Sequence, residues 1–284
     1  MPTLRLDRLV SVHVFHPLKK RRTSNRASIP VLMYHSVTVN SESGPKYYRT
    51  TTSPSQFAEH MRFLYEHGYT AVELDNVVRR LEGQSEGAAK LVAITFDDGF
   101  ANFYTNAFPI LQRYGLSASM FLPTSYISAS PRRFKNTQCM TWDQVYELSK
   151  SGISFGSHTV NHPQLHILKA SDRLRELRES KDSIEQRLGT AVHSFSYPYA
   201  FPEQDRAFRR KLAEELAESG YSNGVSTIVG RAASTDSRFF LKRLPMNDSD
   251  DQKLFRAKLE GGYDWLHSLQ YATKLIRSGS EQWR

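Results

Sequence analysis

Apolar and polar positions along this chain alternate between two patterns. Short runs of branched and aromatic residues occur at Ile29–His35, Thr70–Leu74, Leu91–Asp97, Ala118–Leu122, Ile153–Gly156, Ser194–Tyr197, Tyr221–Val225 and Phe239–Leu241, and they predict buried strands. Between them lie stretches with helical spacing. Ser53-Pro54 opens a helix in which Phe57, Met61 and Leu64 share a face before Gly68 stops it. Further helices are predicted over Asp75–Glu82, Ala101–Tyr114 (with Pro109 forcing a kink or a late start), Trp142–Lys150 capped by Thr141, Ser171–Leu188 and Glu203–Glu218. Asp250–Ile276 also reads as helical, interrupted by Gly261-Gly262. About seven strand–helix alternations ask for parallel strands with helices outside them, and the span of about 220 residues suits an α/β barrel.

This pattern divides the chain into a poorly patterned basic extension (1–28), a barrel domain (29–245) and a mostly helical C-terminal segment (246–284). Hydrophobic residues make up 39% of the 284 positions, enough for a sizeable core. The net charge of +9 is uneven: residues 1–28 hold seven Lys or Arg against one acid, Asp7. Lys19-Lys20-Arg21-Arg22 reads either as a solvated arm or as a contact with an anionic surface, membrane phosphate or, as the weakest reading, nucleic acid. Because the rest of the chain is nearly neutral, no nucleic-acid partner is expected. No run reaches the ~18 apolar residues of a membrane span, and residues 1–26 lack an apolar leader core, so the expected location is cytoplasmic. The single cysteine, Cys139, excludes an intrachain disulfide.

The chemistry is concentrated at two strand ends. Thr95-Phe96-Asp97-Asp98-Gly99 places two carboxylates where α/β folds build their sites, with Gly99 expected to supply the turn that lets them act separately. His158-Thr159-Val160-Asn161-His162 offers two imidazoles four positions apart, on a helical turn or in a tight loop. Taken singly, such acids are commonly helix caps and such histidines carry no ligand. Together, one carboxylate and two histidines suit a divalent metal with open positions, and the other carboxylate is left to act as a base.

These two motifs, in this order and separation, resemble those of the polysaccharide deacetylases (carbohydrate esterase family 4, with the NodB homology domain), over roughly Ile29 to Pro245. The resemblance implies a distorted (β/α)7 barrel. It also implies hydrolysis of N-acetyl groups on the amino sugars of a glycan, with Asp97 as base and Asp98, His158 and His162 holding a divalent ion. Zinc is the first expectation, with cobalt or nickel as alternatives. The third family motif is half present in Ser196-Tyr197-Pro198-Tyr199. Tyr199 stands where a backbone amide holds the oxyanion, while Ser196 replaces the arginine that orients the base. Arg243 is the candidate substitute, against the ordinary reading of a surface arginine. The late Leu-x-His motif is missing downstream, but Leu32-Met33-Tyr34-His35 has its shape. That resembles the permuted subgroup acting on poly-N-acetylglucosamine and makes His35 the candidate acid. The alternatives are a non-catalytic carbohydrate-binding relative, favoured by the missing arginine, and an iron oxygenase using two histidines and a carboxylate.

Overall fold

The computed structural model describes residues 5–21, 27–40, 49–85 and 90–271. Arg22 and Arg26 of the basic segment, 41–48 of the expected first loop, 86–89 and the 272–276 end of the expected last helix lie outside them. Eight main strands follow one another: β1 (Val31–Tyr34), β2 (Tyr69–Ala71), β3 (Lys90–Phe96), β4 (Ala118–Leu122), β5 (Ile153–Ser157), β6 (Ser194–Ser196), β7 (Asn223–Val229) and β8 (Leu241–Pro245). All but β2 form a closed ring of parallel strands in the order β1-β8-β7-β6-β5-β4-β3 and back to β1. Strand β2 pairs with the start of β3 from outside. This is the expected (β/α)7 barrel.

Period-two alternation sorts the strand residues. On β3, Val92, Ile94 and Phe96 join the large cluster between the strands and the outer helices, while Ala93 packs with Val31, Phe121, Val225 and Leu241 in a second cluster inside the ring. The helix Leu74–Leu81 buries Leu74, Val77, Val78 and Leu81 against that inner cluster and so covers the N-terminal end of the barrel. Continuing inward along β3 past Ala93, Thr95 and Asp97 lead to the C-terminal rim, where apolar filling gives way to polar groups.

Helix termini follow their sequence signals. Thr141 and Gln144 form a capping box on Trp142–Lys150, and Gly189 ends Ala170–Leu188 in the left-handed conformation. Pro109 acts as expected: Phe103–Ala107 is π-helical and a regular helix starts at Phe108. The last strand differs from expectation, running over Leu241–Pro245 rather than Phe239–Leu241. Its alternation was obscured because Arg243 is an inward-facing charge. The C-terminal helix likewise shortens to Gln252–Leu259, followed by turns and renewed helix at 265–271.

The N-terminal segment is more ordered than its pattern suggests. Residues 6–21 are continuously helical, with a π-helical middle at Ser11–Phe15, and they pack against residues 251–265. Phe15 stacks on Trp265 with ring centroids 5.2 Å apart, and Arg8 pairs with Asp251. No helix among the described residues is long and apolar enough to cross a membrane.

Candidate active site

The C-terminal ends of β1, β3, β5, β6 and β8 bring the sequence-predicted residues together. Asp98, His158 and His162 each offer a ligand atom within 4.8 Å of the others, and all three are buried. Asp98 Oδ1 lies 3.6 Å from His158 Nε2 and 3.3 Å from His162 Nε2. His158 Nδ1 is 2.8 Å from the Ser196 carbonyl oxygen, which can only accept, so Nδ1 carries the proton and Nε2 keeps its lone pair. Burial pushes the His158 pKa down to about 3, leaving the neutral, ligating form.

Asp98 Oδ1 is buried without a hydrogen-bond partner among the described residues. A buried oxygen facing two imidazole nitrogens, one of them a fixed lone pair, is costly unless a cation lies between them. The donor set of one oxygen and two nitrogens therefore fits a divalent metal. Burial opposes ionisation of Asp98, but contact with His162 and the charges around it, including the Lys135 ammonium, hold it well below the usual carboxylate range.

Backbone strain aims these groups. Asp98 itself adopts φ 73°, so the turn expected at Gly99 begins one residue earlier and swings Asp98 away from Asp97. The histidines lie in a tight loop rather than on a helical turn, with Thr159 at φ 69° and His162 at φ 56°. Thr159 Oγ1 accepts from the His162 amide at 2.9 Å. Glu176, buried on the helix Ala170–Leu188, accepts from the Val160 and Asn161 amides at 2.8 and 2.9 Å and from the Asn161 side chain at 2.7 Å.

Asp97 sits in a different setting. Arg243, fully buried on β8, donates to Asp97 Oδ1 at 2.9 Å and to Oδ2 at 2.8 Å. Ser196 Oγ donates to Oδ1 at 3.1 Å and accepts from Arg243 Nη2 at 3.1 Å. Arg243 thus reaches Asp97 from another strand, and the surface reading of Arg243 is excluded. Burial would raise the Asp97 pKa, but the guanidinium outweighs it and holds the carboxyl well below its usual range. His35, at the end of β1, places Nε2 4.0 Å from Asp97 Oδ2, and burial lowers its pKa. Tyr199, at φ 60°, sets its ring 4.6 Å from that of His162, and its amide has no acceptor among the described residues.

Sequence reasoning missed Glu176 and Lys135. Glu176 shares the buried face of its helix with Arg173, Leu177, Ser180 and Ile184, and that spacing was the available signal. Lys135 and Asn136 both have positive φ in a two-residue turn between Arg133–Phe134 and Thr137–Gln138. This turn carries Lys135 Nζ to within 3.2 Å of Asp98 Oδ2, and nothing in its local sequence indicates that placement. A cavity of about 440 Å³ opens over the site, lined by His35, Ser36, Thr51, Asp98, Asn102 and Gln138 among others.

Residues 84–223 match the polysaccharide deacetylase family. A Bacillus subtilis protein, YxkH, whose name places it among the polysaccharide deacetylases, is 28% identical over 240 residues, covering 84% of this chain and 78% of that protein. The poly-β-1,6-N-acetyl-D-glucosamine N-deacetylase of Staphylococcus aureus (strain MRSA252) is 21% identical over 215 residues, covering 72% of this chain and 71% of its own. The structure of the Streptococcus pyogenes deacetylase PplD in complex with acetate superposes with a TM-score of 0.72 at 25% identity, covering 83% of this chain and 99% of that one.

Proposed function

We propose that this chain, which matches the polysaccharide deacetylase family over residues 84–223, is a metal-dependent hydrolase that removes N-acetyl groups from the amino sugars of a poly- or oligosaccharide, releasing acetate. The observation that carries the reading is the pairing of two adjacent carboxylates with different partners: Asp98 with two histidines, Asp97 with Arg243. Asp98, His158 and His162 would hold the ion, and zinc, cobalt and nickel all accept this donor set. Bound there, the cation supplies Lewis acidity toward the acetamide carbonyl and lowers the pKa of water.

In this proposal Asp97 accepts the proton of the attacking water as the new C–O bond forms. Arg243 keeps Asp97 ionised and aimed, which also weakens it as a base, so proton transfer belongs to the transition state, where negative charge develops nearby. The free amide of Tyr199 donates to the tetrahedral oxyanion. His35, 4.0 Å from Asp97, takes up the proton that Asp97 received from water and delivers it to the departing nitrogen as the C–N bond breaks, giving free amine and acetate. The relatives that act on poly-β-1,6-N-acetyl-D-glucosamine support an N-acetylglucosamine polymer as substrate, and the polar cavity lining suits sugar hydroxyls.

The non-catalytic alternative drew its support from a missing arginine, and Arg243 fills that contact. The test is acetate release from N-acetylglucosamine oligomers by protein of known metal content. Chelation should abolish release and a divalent ion should restore it. Metal-replete protein that yields no acetate from a panel of acetylated glycans would overturn the reading.

A further inference from the structure

The helix 6–21 carries large apolar residues on its outer face. Its inward face is largely polar: Tyr263 donates to Asp7 at 2.9 Å, Arg8 donates to Asp251 at 2.8 Å, Trp265 donates to Ser11 at 3.0 Å, and His16 lies 2.6 Å from Glu260. Val12 and Phe15 pack inward, but four of its large apolar residues face out. Leu6, Leu9, Val14 and Leu18 are 65, 37, 47 and 52% exposed, four of the ten exposed large apolar side chains among the described residues.

At ~100° per residue a regular helix would spread these four around ~180° of its circumference. The π-helical turn at Ser11–Phe15 is wider and swings Val14 and Leu18 back toward the side of Leu6 and Leu9. The result is one apolar stripe along the helix.

The charge that follows Asp7 in the sequence has one sign. Arg5, Arg8 and Lys19 are engaged by Asp7, Asp251 and Asp264. Lys20, Arg21, Arg22 and Arg26 follow, and no acidic residue occurs in the sequence between Asp7 and Glu42. The stripe also begins near the active-site rim. Arg5 Nη1 donates to the Ser249 carbonyl at 3.4 Å, and the neighbouring Asp248 amide donates to the carbonyl of Thr51, a residue lining the cavity.

We infer that this face docks on an anionic bilayer, with Leu6, Leu9, Val14 and Leu18 at the acyl boundary, and that the basic composition of the sequence that follows favours anionic over neutral headgroups. The helix then lies in the plane of the surface and holds the cavity mouth beside it. The inference goes beyond the deacetylase reading and does not depend on it.

Full-length protein is floated with vesicles of phosphatidylcholine and phosphatidylglycerol in equal parts, and with vesicles of phosphatidylcholine alone. It should float with the anionic vesicles and bind neutral ones about ten-fold more weakly. A Leu9→Ser/Leu18→Ser variant should lose about ten-fold or more of its partitioning to anionic vesicles. Its circular dichroism and its acetate release from soluble oligomers should not change. Three results would overturn the inference: wild type that stays with the soluble fraction, a variant that floats as well as wild type, or light scattering that shows a dimer dispersed by these substitutions. Flotation without acetate release would leave this inference standing and count against the deacetylase reading alone.

Discussion

At the barrel rim, Arg243 and Asp97 pair with 0 and 2% of their side chains exposed, whereas in the terminal seam Arg8 and Asp251 pair with 29 and 47% exposed. The chemical partners are the same, but their energetic weight differs. Removing one member of a buried pair leaves a desolvated charge and costs about 3–5 kcal/mol, while exposed pairs contribute about 0–1 kcal/mol. Strain divides in the same way. The rim holds Asp98, Thr159, His162 and Tyr199 at positive φ, each costing about 1–3 kcal/mol, while the described parts of the seam (5–21 and 250–271) hold only Gly261. One region stores cost to aim reactive groups. The other is a low-strain contact between the two ends of the chain.

The sharpest way to break this contrast is Asp97→Asn. Turnover should fall about 10²–10⁴-fold while the metal content of the purified protein stays unchanged; unchanged turnover would remove Asp97 as base. Next, Arg243→Met should destabilise the fold by about 3–5 kcal/mol in urea titrations, because Asp97 is left buried and unpaired. A loss as small as that for a seam pair would erase the distinction between the two regions.

His60 lies between barrel and seam, 3.0 Å from the Tyr34 hydroxyl and 2.6 Å from the Asp250 carbonyl oxygen. Burial lowers its pKa from 6.5 to about 4. Between those values the unfolded chain binds the proton first, so stability is full above pH ~6.5 and falls as pH drops, by about 3 kcal/mol once below the folded value. Denaturation of a His60→Gln variant over the same range should lack this component, and an identical slope would reject the assignment. Glu176→Gln should weaken metal affinity by about 10–100-fold, measured by competition with a chromophoric chelator. The smallest effect is expected for Arg8→Ala, within about 1 kcal/mol of wild type in thermal unfolding.

Much of the barrel was legible because strands and outer helices obey single periods. Ala118–Leu122 and Trp142–Lys150 fall where their patterns predict. Asp97, Asp98 and His158 were legible because they directly follow recognisable strands, and His162 because it lies four positions after His158. The remaining features were hidden for physical reasons. Arg243 puts a charge at an inward strand position, where alternation calls for an apolar residue. Lys135 reaches the site through a turn whose geometry its own residues do not announce. The helix 6–21 turns its leucines outward and its polar groups inward, with a π-helical turn shifting its phase, so neither period describes it.

Ring closure has a consequence for synthesis. Asp97 leaves the ribosome well before Arg243, and β1 has no partner on one side until β8 is made. A nascent chain that stops short of residue 243 therefore carries both carboxylates without the guanidinium that pairs with one of them. The pair and the ring are therefore completed together, by the same strand.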